Sequence, residues 1–212
     1  MRKIFKSVFA ALMWLWSRVY TYKVSCGLIR FRNMFYTMWI RNFIGELPQD
    51  SSIAYPCCIQ GGGLKYISIG HHTGIQSYSI LGCWVEYGNQ QFSPSITIGS
   101  NCHIGEYNQI TACNKITIGD GLLTGRFVYI GDNAHGGLSW EEANIPPAKR
   151  NLESKGEIKI GNNVWIGDKV TILGGVTIGD NVIVGANSVV THNVPSNSVA
   201  VGIPAIVVKE LK

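Results

Sequence analysis

Aliphatic residues return every six positions through the carboxy-terminal half of this chain. Ile160, Ile166, Ile172, Ile178, Val184 and Val190 form one series, and Ile158, Val164, Val170, Val176 and Val182 form a second series two residues earlier. Glycine follows the main series at 161, 167, 179 and 185. The interval also runs through Ile98, Ile104, Ile110 and Ile116, and ISIG at 67–70 and ITIG at 96–99 and 116–119 repeat the phrase. A helix repeats every 3.6 residues or so and a strand about every two, so neither alone keeps a count of six. A six-residue unit instead suits one flat side and one corner of a triangular coil. Its aliphatic residue points inward onto the next coil, and Gly, Asn and Asp at the corners accept tight-turn backbone angles. Short fixed periods mark stacked solenoids, in which each turn buries its core only against its neighbours. The pattern predicts an all-β solenoid, a parallel β-helix, over residues 49–208.

The count stops once at length. "VYIGD" ends one run of hexads and "EIKIG" opens the next, leaving about residues 132–157 outside the coil. Long loops within compact domains are usually functional. This one opens with Asp132, His135, Gly136 and Gly137 and continues through Trp140 and "IPPAKR". A histidine at the base of the break, with glycines that admit close approach, reads as a functional residue rather than a solvated turn residue, and Asp132 is placed to orient its imidazole.

The ends of the chain differ in charge. Residues 1–45 carry eight Lys or Arg and no acid, whereas the rest carries ten basic and thirteen acidic residues. The net charge of +5 therefore belongs to an arm, residues 1–48, and the body lacks the aromatic-plus-basic stripe of a nucleic-acid binder. Residues 4–20 fit an amphipathic helix, with Ile4, Phe5, Val8, Phe9, Leu12, Leu15, Trp16 and Val19 on one face. Its apolar run is too short to span a bilayer. Half of the 22 aromatic residues fall in this arm. Two readings stay open: the arm contacts the cytoplasmic face of the inner membrane, or it packs on the body or a neighbouring subunit. Only 15% of residues are charged, against about 25% for ordinary domains, which favours an oligomer. The six cysteines show no paired spacing and read as reduced thiols of a cytoplasmic protein. "QGGGLK" at 60–65 lacks phosphate-loop spacing. His71 and His103 raise a zinc site but lack a third partner, so no metal is expected.

"VWIGDKVTILGGVTIGDNVIVGANSVVTHNVPSNSVAVGIPA" resembles the hexapeptide-repeat acyltransferases, whose solenoid is the left-handed β-helix. Residues 60–208 resemble the bacterial O-acetyltransferases of capsule, O-antigen and exopolysaccharide sugars, relatives of the galactoside and maltose acetyltransferases. The resemblance implies transfer of acetyl from acetyl-CoA to a sugar hydroxyl, with His135 as base and Asp132 as its partner. It implies an oxyanion donor in the backbone of Gly167 and Asp168. Coenzyme A would pass Trp165, Gly185 and Ala186, with Thr191, His192 and Lys209 toward the nucleotide end. Asn108, Asn114 and Trp140 are candidates for the acceptor side. The family assembles as homotrimers with clefts between chains, and residues 209–212 would form a short tail. A drug-modifying acetyltransferase of the streptogramin or chloramphenicol type is the rival enzyme, and a non-catalytic β-solenoid scaffold the rival outside enzymes.

Overall fold

The computed structural model describes residues 2–137 and 139–211. Three sheets form the faces of a triangular prism. The first face stacks strands Ile67–Ile69, Ser95–Ile98, Lys115–Ile118, Ile158–Ile160 and Thr177–Ile178. The second runs from Ser52–Ile53 through Gly74–Ile75, His103–Ile104, Leu123–Thr124, Trp165–Ile166 and Ile183–Val184 to Ser198–Gly202. The third runs from Cys58–Gln60 through Ile80–Cys83, Gln109–Ala112 and Tyr129–Gly131 to Thr171–Leu173 and Val189–Val190. Within these coils the strands pair in parallel. The hexad residues stack in register: Ile110, Ile130, Ile172 and Val190 make one column, and Ile98, Ile118, Ile160 and Ile178 another. Every member of both columns is buried.

The corners explain the polar half of the repeat. Between the first and second faces Asn101, Asn163, Asn181 and Asn197 take positive φ, which asparagine tolerates better than most residues. Corner side chains also serve the coil before. Asp120 Oδ1 accepts from the Ser100 amide at 2.7 Å, Asn162 Oδ1 from Asp120 at 2.8 Å and Asp180 Oδ1 from Asn162 at 2.6 Å. Each turn amide is thus satisfied by the next coil.

Both ends are closed. Helix α1 spans Arg2–Val19 and α2 spans Tyr22–Ile40, the latter capped by Thr21, whose hydroxyl accepts from Val24 N. The last turn of α2 docks on the first coil, where Ile40, Ile44 and Leu47 extend the apolar core. At the other end Ala205–Glu210 folds back antiparallel on Ser198–Gly202. This corrects the expectation of a tail from residue 209: Lys209 lies in a strand opposite Val199, while Lys212 is outside the described residues. The exposed area is 12752 Å², against about 9,700 Å² for a compact monomer of 23.3 kDa. The surplus reflects the elongated prism and the projecting arm.

Candidate active site

Two excursions leave the prism at the corner between its third and first faces. The long one carries an antiparallel hairpin, Asn133–His135 against Leu152–Ser154, and a short helix α3, Trp140–Ala143. A second excursion, with hairpin strands Glu86–Tyr87 and Gln90–Gln91, escaped the sequence reading. Its signal was present: the hexads lapse between Cys83 and Ile96, and a Gly-Asn turn pair sits at 88–89.

The excursions grip each other. Gln90 Oε1 accepts from Leu152 N at 2.7 Å, its Nε2 donates to Leu152 O at 3.1 Å, and the Tyr87 hydroxyl donates to Ala148 O at 2.7 Å. Between them lies a cavity of about 210 Å³ walled by Trp84, Tyr87, Tyr129 and Leu152, with Gln109, Thr111, Asn133 and His135 supplying polar atoms. The His135 ring stands edge-on to Tyr87, centroids 5.3 Å apart. Trp84 Nε1 donates to Thr111 Oγ1 at 3.0 Å, fixing the opposite wall. Among the described residues no hydrogen bond engages an imidazole nitrogen of His135, so both ring nitrogens are free to bond a ligand.

Asp132 does not orient this histidine. Its carboxylate is 1% exposed, and it accepts from the amides of Cys113 at 2.8 Å and Asn114 at 3.0 Å. It therefore anchors the root of the loop to the coil before. Their own burial, and after it the Asp132 charge, pushes the neighbouring thiols up, Cys83 to about 12 and Cys113 to about 11, so neither is a thiolate nucleophile at neutral pH.

Of the acceptor candidates, Asn108 is corrected most firmly. It is 2% exposed, its Oδ1 accepts from Val128 N at 2.7 Å, and its Nδ2 donates to Gly125 O at 3.0 Å, so it is part of an interior corner. Asn114 is exposed and contributes its amide to Asp132. Trp140 is 92% exposed on α3, outside the lining of the cavity.

Trp165, Gly167, Asp168, Gly185 and Ala186 gather on the second face and the corner that follows it, whereas Thr191 and His192 follow the third face, at the corner that also carries the His135 loop. The Gly167 amide is committed to Val184 O at 2.8 Å, which removes it as an oxyanion donor. Asp168 differs. Its Oδ1 accepts from Arg126 N at 2.8 Å, but the next rung is Ala186, whose methyl group cannot return the favour. Among the described residues the amides of Asp168 and Ala186 have no acceptor, so two neighbouring rungs of this corner keep an unpaired donor. Trp165 stands beside them in an exposed row with Leu123 and Ile183. Gly185 is confined, since a Cβ there would meet Val201 Cγ1 at 2.6 Å. Thr191 and His192 pair with each other, Oγ1 to Nδ1 2.8 Å. A polar cavity of about 410 Å³, holding an ion pair of Glu106 with Arg126 at 3.3 Å, adjoins Asp168 and was also missed in the sequence.

His71 and His72 both face Asp50, at 3.0 and 3.5 Å, with His103 apart on the second face. Among the described residues no group of three His, Cys, Asp or Glu side chains is placed to hold a metal ion.

The bacterial transferase hexapeptide model, of six repeats, matches residues 157–192. WbbJ of Escherichia coli K12, whose name assigns it provisionally as a lipopolysaccharide biosynthesis O-acetyl transferase, is 40% identical over 119 residues. That match covers 54% of this chain and 60% of WbbJ, less than two thirds of the relative's length. A maltose O-acetyltransferase from Clostridium difficile 630 shares the fold at a TM-score of 0.54 and 27% identity, over 82% of this chain and 73% of that one. AntD, an N-acyltransferase from Bacillus cereus solved with dTDP and 3-hydroxybutyryl-CoA, superposes at 0.65 with 24% identity, over 82% and 87% of the two chains, and so shares the fold. An acetyltransferase from Vibrio cholerae with bound acetyl coenzyme A matches at 0.50 and 25%, over 82% and 75%. Residues 157–192 thus carry the bacterial transferase hexapeptide repeat, and with its stacked hexads and parallel triangular coils the chain folds as a left-handed β-helix, the fold it shares with these acyltransferases.

Proposed function

We propose that this protein moves an acetyl group from acetyl-CoA to a sugar hydroxyl during synthesis of a bacterial surface polysaccharide, in the cytoplasm and as a homotrimer. The observation that carries the reading is His135, its imidazole unengaged, in a cavity of aromatic walls and amide side chains. Aromatic rings suit the apolar faces of a pyranose, and Gln109 and Asn133 can bond its hydroxyls. The names of WbbJ and the maltose enzyme point to the same acceptor class.

A hydroxyl is a poor nucleophile at neutral pH, so His135 takes its proton as the oxygen attacks the thioester carbonyl. The carbonyl oxygen becomes an anion, and the unpaired amide of Asp168 is the preset donor for it. Collapse forms the ester and breaks the carbon–sulfur bond. The proton held by His135 then passes to the departing thiolate. Coenzyme A fits the second corner, the one between the second and third faces, where the Ala186 amide and the exposed Trp165 can hold a pantetheine arm. His135 and Asp168 belong to corners at opposite edges of the third face, and one six-residue side of the coil spans up to about 20 Å. A neighbour's second corner turned toward the His135 cavity brings the two groups together.

Coenzyme A release, read with a thiol reagent, tests the reaction. The expected result is release that depends on an added oligosaccharide acceptor and exceeds the rate with chloramphenicol or a streptogramin at least tenfold. The reverse preference would favour the drug-modifying reading, and binding of glycans without coenzyme A release would favour a scaffold.

A further inference from the structure

Helix α2 sits on the body the wrong way round for an ordinary amphipathic helix. Its docked side is mostly polar: the Tyr36 hydroxyl donates to Cys57 O, Asn33 Oδ1 accepts from Tyr55 N, and Thr37 bonds the backbone of Ile53. Its apolar stripe, with Leu28, Phe31, Phe35, Met38 and Trp39 each more than half exposed, points away from the protein. Helix α1 repeats the exposure. None of its residues is buried, and Phe5, Phe9, Leu12 and Trp16 line one face at 53% to 74% exposed. Lys3, Lys6 and Arg18 lie on the other face, Arg18 stacked over Trp14 at 4.6 Å. A soluble monomer does not leave so large an apolar area open without a partner.

We infer that the arm docks in the plane of an anionic bilayer, α1 and the outer stripe of α2 sinking their apolar faces among the acyl chains. Charge chooses this occupant over a second copy. Residues 1–45 hold eight basic side chains and no acid, so two arms packed together would bring like charges into contact with nothing to balance them. Acidic headgroups supply that balance, and long basic side chains reach them from the rim of an apolar face. Among the described residues no helix is long and apolar enough to cross a membrane, which fits a surface-lying arm. The inference does not depend on the acetyl-transfer reading, because it concerns a different part of the molecule and a different ligand.

Flotation of the full chain tests it. The protein should rise with vesicles of phosphatidylethanolamine and phosphatidylglycerol and bind far less to phosphatidylcholine alone. Lys3→Gln with Lys6→Gln should weaken binding about twenty-fivefold, each basic side chain at an anionic surface being worth about fivefold. Phe5→Ser with Phe9→Ser should abolish flotation. Neither pair touches the buried core, so melting of the β-helix should stay unchanged, which separates lost docking from lost folding. Failure of the wild-type chain to float overturns the inference. So does a larger assembly in lipid-free solution that Phe5→Ser with Phe9→Ser dissociates, since the apolar faces would then meet other copies.

Discussion

Ile172→Asp should yield no folded protein. Ile172 is 0% exposed and stacks between Ile130 and Val190 in the axis of the coil. A carboxylate there has no partner, and burying it charged or forcing it neutral costs several kcal/mol on top of the lost isoleucine packing, against the roughly 5–15 kcal/mol that holds a whole domain together. The damage does not stay local, because each coil is stabilised only by the coils above and below it. Ile166→Asp, on the second face, should fail in the same way. Lys169→Asp is the control. Lys169 is exposed and holds a φ of 57°, a conformation aspartate tolerates, so this variant should melt within a few degrees of wild type. Circular dichroism and thermal melting check all three. A soluble, cooperatively melting Ile172→Asp protein would mean the six-residue register is misread.

His135→Ala should lower turnover by roughly 10² to 10⁴, the usual worth of a general base. The side chain is exposed, so coenzyme A binding and melting temperature should hold. Asp132→Asn should behave the other way. Its carboxylate serves two amides, that of Cys113 buried, and an amide side chain would turn an N–H toward one of them, at a cost of about 1–3 kcal/mol in stability. Turnover per folded molecule should change much less than for His135→Ala. Steady-state kinetics and calorimetry on both variants separate the roles, and His135→Ala activity within about twofold of wild type rejects the mechanism.

The coil was readable because its physics is periodic: inward aliphatics and corner asparagines recur at fixed spacing and must stack. The loop carrying His135 was readable for the same reason, as an interruption of a regular count. Asp132 misled because its position in sequence says nothing of the coil before it, where the amides of Cys113 and Asn114 wait. Asn108 misled likewise; its partners Gly125 and Val128 lie one coil later. The residues around Trp84 and Tyr87 were missed because their hairpin pairs with the distant loop around Leu152 and Ala148 rather than with any local repeat. The unpaired amide of Asp168 depends on what stands at Ala186, which only the stacking of coils reveals.

The central claim is that the base of one chain works against the acyl-binding corner of another, and mixing two dead variants tests it most directly. His135→Ala removes the base. Ala186→Trp blocks the corner, and it is preferable to a substitution at Gly185, because Ala186 is exposed whereas Gly185 has Val201 against it. Equal amounts of the two, refolded together into trimers, leave about a quarter of the clefts with both an intact base and an intact corner. The predicted result is about a quarter of wild-type activity from the mixture and none from either variant alone. An inactive mixture, with mixed trimers verified by mass, would contradict the claim and place the whole site within a single chain.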